Sequence, residues 1–116
     1  MFSSGVHHVS INVVDLGAAR QFYVDKLGIP EIDRPELSVG GIWLQAGPQQ
    51  IHLIERTTPP ALGQHFSLVV DDLDATVATL ADRGIEIDRF SAIEGVCRQA
   101  FLSDPAGNLI ELTEPV

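Results

Sequence analysis

The chain has 116 residues, of which 45% are hydrophobic and 20% charged, and its formal net charge is −9 at pH 7. This composition predicts one globular domain with a modest core and argues against nucleic acids and anionic membranes as partners. No apolar run is long enough to span a membrane, the N-terminus lacks a secretory pattern, and the single cysteine, Cys97, cannot form an internal disulfide. We therefore expect a cytoplasmic protein.

The first half of the chain predicts one strand, one helix and three further strands. Residues 6–14 alternate in polarity and are rich in β-branched side chains, which favours a strand. Asp15 then offers an N-cap for a helix over residues 16–27, which Gly28 ends. Short strand-like runs follow near residues 31–34, 39–46 and 50–55.

The second half predicts the same order of elements after a linker at residues 57–63. A strand over residues 65–71 precedes a helix that is capped by Asp72 or Asp74, continues through Arg83 and stops at Gly84. The remaining strands are predicted near residues 85–90, 96–102 and 108–113, with a tight turn in the stretch DPAGN.

The two halves are also related by sequence. The stretch HVSINVVDL, starting at His8, returns as HFSLVVDDL, starting at His65, and IHL at residues 51–53 corresponds to IEL at 110–112. Two copies of one supersecondary unit explain this repeat. We predict a single domain, 1–116, built from two βαβββ modules at about residues 6–56 and 64–113.

Alternation along the strands predicts where the polar side chains lie. Each half places a histidine at the start of its first strand and a histidine or glutamate in its last strand, on the face opposite an aliphatic row. These four residues are His8, His52, His65 and Glu111. Their equivalent positions in the two halves favour a metal site over four unrelated polar residues. The neighbouring His7 is assigned to the aliphatic side, as a structural or surface residue.

Three motifs carry a resemblance to a known family: H-x₆-D-L, F-Y-x₃-L-G and D-P-x-G-N-x-I-E-L. With them the chain resembles the vicinal oxygen chelate superfamily, which includes glyoxalase I, epimerases, extradiol dioxygenases and bleomycin-binding proteins. The resemblance runs from about Val6 to Thr113. It implies a glyoxalase-like α+β fold, in which two βαβββ modules form a concave mixed sheet around a divalent metal.

The resemblance also implies the ligands of that metal, which are His8, His52, His65 and Glu111 in this sequence. Imidazoles with one carboxylate suit Zn, Fe, Ni, Co or Mn better than Ca or Mg. The glyoxalase and epimerase branches have Glu or Gln at the position of His52. His52 is thus either a fourth ligand or a catalytic base, and Glu111 is the other candidate catalytic residue.

Three classes of function compete, of which the third is a non-catalytic dimeric scaffold. The first is a metal-dependent enzyme, a lyase, isomerase, epimerase or dioxygenase, that acts on a small oxygenated substrate. The alternative is a metal-free protein that binds a small molecule or an antibiotic, as in the bleomycin-resistance branch. The resemblance further implies a homodimer, in which the metal site lies within one chain or between two.

Overall fold

The computed structural model describes residues 2–116, and the chain divides between Pro59 and Pro60 into two compact units. Each unit has the element order βαβββ, with one four-stranded mixed sheet. The predicted α+β fold of two βαβββ modules is confirmed. No helix within residues 2–116 combines the length and the hydropathy that a membrane span requires.

The first unit contains a sheet in the order β1-β4-β3-β2. Strands β1 and β4 are parallel, whereas β3 is antiparallel to both of its neighbours. The helix follows β1 and makes the crossover that a parallel pair needs. The elements are β1 (His8–Val13), α1 (Leu16–Arg20), a π-helical segment (Gln21–Lys26), β2 (Glu31–Ile32), β3 (Gly41–Ala46) and β4 (Gln49–Glu55).

The second unit repeats this topology in the order β5-β8-β7-β6. Its outer strand β5 is parallel to β8, and β7 is antiparallel to both β6 and β8. The elements are β5 (His65–Val69), α2 (Leu73–Asp82), β6 (Arg89–Ile93), β7 (Cys97–Ser103) and β8 (Leu109–Pro115).

Both helices begin at an aspartate. The side chain of Asp15 accepts a hydrogen bond from the Ala18 N–H, and that of Asp72 accepts one from the Ala75 N–H, each over 3.0 Å. Such bonds satisfy N–H groups that a helix leaves without partners at its first turn. The cap at Asp15 is confirmed, and Asp72 rather than Asp74 caps the second helix.

The first helix differs from the prediction of a regular α-helix through residue 27. After Arg20 it widens into the π-helical segment, in which the N–H of Leu27 donates to the carbonyl of Phe22, five residues back, over 2.9 Å. Both Phe22 and Tyr23 are buried within this segment, with their ring centroids 4.9 Å apart. The wider turn accompanies the burial of two adjacent aromatic side chains. The spacing of apolar residues in the sequence did not indicate this wider turn.

The strand predicted at residues 85–90 lies later in the chain, at β6. The N–H of Ile85 donates to the carbonyl of Leu80 over 2.9 Å, which closes the end of α2, and the Ile85 side chain is buried. Ladder pairing begins only where Arg89 lies opposite Phe101. Ile85, which had suggested that the strand starts earlier, thus belongs to the end of the helix instead.

The aliphatic row of each sheet forms the core of its unit. In the first unit Ile51 and Leu53 of β4 are almost fully buried, as are Ile110 and Leu112 of β8 in the second. The opposite face carries the polar row, and we call it the polar face of each sheet. It is not simply solvated, because His52 and Glu111, which lie on it, are only 8% and 6% exposed. Burial of two ionisable groups outside the core singles out these polar faces as candidate sites.

The turn between β7 and β8 depends on Asp104, which is 5% exposed. Its carboxylate accepts hydrogen bonds from the backbone N–H groups of Ala106 and Asn108 and from the Asn108 side chain. We expect Asp104→Ala to lower the free energy of unfolding by about 2–3 kcal/mol, because three half-buried donors lose their acceptor. Urea denaturation measures this, with Asp88→Ala as the exposed control; equal, small losses for both variants would contradict it.

Candidate functional site

The polar face of the first sheet carries a stack of three rings. The imidazole of His52 lies between those of His8 and Trp43, at centroid distances of 4.0 Å and 4.2 Å and interplanar angles of 15° and 6°. Strand register creates the stack, because β4 lies between β1 and β3 and pairs Trp43 directly with His52. Two of the four predicted ligands, His8 and His52, are thereby in contact.

His52 is held in a defined orientation. Its Nε2 lies 2.8 Å from Oε1 of Gln50, which can only accept, so Nε2–H donates and Nδ1 of the neutral ring carries the lone pair. Burial lowers the pKa of the His52 imidazole, and electrostatic repulsion from the neighbouring His8, His7 and Arg34 lowers it further. A neutral imidazole with an oriented lone pair can act as a metal ligand or as a base.

His7 does not behave as an aliphatic-side residue. It precedes β1, is exposed, and its Nδ1 lies 2.9 Å from Nδ1 of His8. One ring therefore donates to the other, and the two rings meet edge to face at 5.2 Å. Strict alternation assigned His7 to the other face, but alternation applies only within the strand. The predicted strand began at residue 6, whereas β1 begins at His8, so alternation was applied to a residue outside the strand.

The polar face of the second sheet holds the other pair. His65 Nε2 lies 3.0 Å from Oε1 of Glu111, and His65 Nδ1 lies 2.9 Å from the carbonyl oxygen of Gly63. Because that carbonyl can only accept, Nδ1–H donates to it, and Nε2 is the ring nitrogen that faces the carboxylate. A contact between this nitrogen and a carboxylate oxygen is favourable when Nε2 carries a proton or when both atoms are ligands of a metal ion. A backbone carbonyl that fixes the tautomer is also a common arrangement behind a metal-binding histidine.

The other carboxylate oxygen of Glu111 is fully engaged. Its Oε2 accepts hydrogen bonds from Ser67 Oγ at 3.1 Å and Gln99 Nε2 at 3.2 Å, and also from the Thr113 hydroxyl. The Ser67 hydroxyl thus helps to orient the carboxylate. Burial would raise the pKa of the Glu111 carboxyl, yet the contacts with Thr113, Gln99, Ser67 and His65 outweigh it and hold that pKa below its usual range.

The lowered pKa makes the metal-free protein sensitive to pH at Glu111. The stabilisation is present above the pKa of an unfolded glutamate and is lost as the pH falls through the lower pKa of the folded state. Ser67→Ala removes one hydrogen bond to the ionised form, so we expect the pKa of Glu111 to rise and the loss to begin at higher pH. Urea denaturation from about pH 3 to pH 7 measures this. Ser10→Ala, at the equivalent position of the first unit, is the control, and coincident profiles would contradict the prediction.

The four predicted ligands form two pairs, His8 with His52 and His65 with Glu111, one pair in each unit. Across residues 2–116, no three or more His, Cys, Asp or Glu side chains are gathered in a cluster that could hold a metal ion. Each pair alone is too small for a protein metal centre, which usually takes three or four protein ligands. The donor types still fit a transition metal, since three imidazoles and one ionised carboxylate are available.

Other polar residues of the second unit have different roles. Arg98 forms an exposed ion pair with Asp74 at 2.7 Å, so it is a surface residue and not a carboxylate anchor for a ligand. The Phe101 ring meets His65 edge to face at 5.5 Å, and the guanidinium of Arg89 lies 4.0 Å over the same ring. Phe101 thus lines the polar face beside the His65–Glu111 pair.

Two βαβββ units with paired histidines and a buried glutamate on their polar faces define a glyoxalase-like protein. The model of the Glyoxalase/Bleomycin resistance protein/Dioxygenase superfamily matches residues 5–112. The chain belongs to this superfamily. A comparison with curated proteins finds no match.

Solved structures show the same fold. A putative glyoxalase family protein from Bacillus anthracis is 30% identical, with a TM-score of 0.90 over 100% of this chain and 98% of that one. TnmS3, an antibiotic binding protein from Streptomyces sp. CB03234, is 30% identical, with a TM-score of 0.84 over 100% and 99%. The fosfomycin resistance protein FosX from Listeria monocytogenes is 18% identical, with a TM-score of 0.86 over 99% and 94%, and shares the fold. The superfamily thus spans enzymes and binding proteins, and this chain's own residues must distinguish them.

Proposed function

We propose that the protein is a metal-dependent enzyme of this superfamily that acts on a small oxygenated substrate. The contact between His65 Nε2 and Glu111 Oε1 carries the proposal, because at 3.0 Å it places an imidazole nitrogen beside an oriented carboxylate, while the other ring nitrogen is bound to a backbone carbonyl. His65 and Glu111 would both serve as ligands of a divalent transition metal.

His8, His52, His65 and Glu111 would hold the metal. When bound, it would supply a Lewis acid that polarises neighbouring substrate oxygens and stabilises developing negative charge. The hydroxyls of Ser67 and Thr113 keep the Glu111 carboxylate oriented and ionised. His52, held neutral by burial and by nearby positive charge, would either complete the ligand set or accept a proton from the substrate.

The experiment for this proposal is metal analysis of protein purified without added metal, followed by a substrate panel. The panel consists of a hemithioacetal, an acyl-CoA and a catechol, which represent lyase, epimerase and dioxygenase chemistry. We expect bound Zn, Fe, Ni, Co or Mn and metal-dependent turnover of one of these classes. Protein that takes up none of these metals at micromolar concentration would overturn the proposal.

We further propose a homodimer in which the site combines the His8–His52 pair of one chain with the His65–Glu111 pair of its partner. Mixing His8→Ala with Glu111→Ala tests this arrangement, because a mixed dimer would then contain one site with all four ligands. After unfolding and refolding together, random pairing should restore about a quarter of the wild-type metal capacity. If each chain instead forms its own site, every site lacks one ligand and the metal capacity of the mixture is not restored. A monomer by light scattering that still holds metal would also refute the shared site.

A metal-free binding protein is the second candidate function. The 30% identity to the antibiotic binding protein TnmS3 favours it, as does the aromatic stack of Trp43, His52 and His8, which offers ring surface to a planar ligand. Ligand binding that persists unchanged after EDTA treatment would identify this function.

For either function we propose the cytoplasm as the location, consistent with the single, buried thiol of Cys97.

A further inference from the structure

Arg34 lies on the polar face of the first sheet. Ile32 of β2 pairs with Trp43 of β3, and two residues further along, the Arg34 guanidinium covers Gly41. A Cβ atom built on Gly41 would lie 3.0 Å from Arg34 Nε and 3.1 Å from Nη2. Gly41 pairs with Ile54, and Trp43 pairs with His52 on the same side of the sheet. The guanidinium therefore shares a face with the ring stack of Trp43, His52 and His8.

The inner edge of this guanidinium is docked against the backbone. Nη2 donates to the carbonyl of Val39 over 2.6 Å, whereas Nε is buried and has no hydrogen-bond partner. Glycine is needed at position 41, because a Cβ atom there would lie 2.5 Å from the carbonyl oxygen of Leu53. The sequence thus holds one cation in a fixed position and leaves a buried donor unsatisfied, which is costly unless something offsets it.

The charge of Arg34 has no counterion within residues 2–116. Arg20 pairs with Glu31 at 2.9 Å and Arg98 pairs with Asp74 at 2.7 Å, but no carboxylate forms an ion pair with Arg34. Acidic residues outnumber Lys and Arg by 16 to 7 in this chain, so carboxylates are abundant. An arginine that is partly buried and forms an ion pair with none of them is suited to a counterion from outside the protein.

We propose that Arg34 anchors a carboxylate group of the ligand on the polar face of the first sheet, beside Trp43 and His52. The proposal rests on the proposed function only in placing the ligand on this face, and it requires no metal. The planar guanidinium matches the geometry of a carboxylate, and its docked inner edge keeps it oriented before the ligand arrives. The substrate or ligand class is therefore a small organic anion and not a neutral molecule.

The test uses the whole, EDTA-treated protein titrated with benzoate and with benzamide, which have the same ring but differ in charge. Trp43 is the only tryptophan, so its fluorescence reports binding next to Arg34, and the NMR signal of the Arg34 Nε–H reports the guanidinium itself. We expect benzoate to bind at least roughly tenfold more tightly than benzamide and to shift both signals. Arg34→Gln should remove this preference. Arg20→Gln, the same change of charge at an exposed ion pair of the same unit, should retain it.

Equal affinities for benzoate and benzamide, no response to either, or the same result for Arg34→Gln and Arg20→Gln would overturn the proposal. If Arg34→Gln fails to fold, the wild-type titration decides, because an Arg34 Nε–H signal that does not move with saturating benzoate overturns it as well. The metal analysis above is a separate measurement. Carboxylate binding through Arg34 without metal uptake would reject the metal-dependent enzyme and retain the anchor, and the converse result would reject the anchor alone.

Discussion

Glu111→Ala is expected to abolish the binding of divalent transition metals. Glu111 is the only carboxylate among the four proposed ligands, and its loss also leaves His65 without the contact at 3.0 Å that defines half of the site. Removing a residue that only orients a ligand typically costs about 10–100-fold in metal affinity, so removing the ligand itself should cost roughly 100-fold or more. His8→Ala is expected to give a loss of the same kind.

Calorimetric titration with Zn, Ni and Mn measures this loss, alongside circular dichroism to establish equal folding. Glu111→Gln keeps the shape and the acceptor oxygen and should still bind metal far more weakly than wild type, because the charge is lost. Glu94→Ala removes an exposed glutamate from the turn between β6 and β7 and is the matched control. Full metal content in folded Glu111→Ala or His8→Ala protein would show that the ligand assignment is wrong.

His52→Gln is expected to have the second large effect, and its form distinguishes the two roles of this residue. If His52 is a ligand, the site holds three imidazoles and one carboxylate, and the variant should lose metal affinity. If His52 is the base, metal should remain bound while turnover falls by roughly 10²–10⁴-fold. Its lowered pKa supports either role, since both require the neutral ring at neutral pH.

Metal affinity and turnover of the variant must be measured on the same preparation. Trp43→Phe is the control, because it keeps an aromatic ring against His52 and removes no candidate ligand. Unchanged affinity together with unchanged turnover would exclude both roles and leave His52 as a buried polar residue in the ring stack.

The fold could be predicted from the sequence because its signals are local and occur twice. The polar alternation around His8 and His65, and the caps at Asp15 and Asp72, depend on residues a few positions apart. The π-helical segment and the late start of β6 were missed because each depends on packing between distant parts of the chain. Phe22 and Tyr23 are both buried, and Arg89 pairs with Phe101. Neither feature produces a periodic pattern of polar and apolar residues in the sequence.

The site was predictable only as a set of residue types. Alternation placed the four candidate ligands on polar faces, and the structure brings them together as two pairs. The contacts that define their chemistry were not predictable, because they depend on register between strands that are far apart in sequence. Ser67 reaches Glu111 across β5 and β8, and Arg34 reaches Gly41 from the segment of chain that follows β2.

X-ray absorption spectroscopy of the wild-type protein, loaded with the metal that it retains on purification, tests the central claim most directly. The spectrum should show the multiple scattering that is typical of imidazole ligands, with at least two imidazole rings per metal ion. The remaining ligands of the metal should be oxygen atoms. Protein that retains no metal, or a metal surrounded by oxygen alone, would contradict the centre formed by His8, His52, His65 and Glu111.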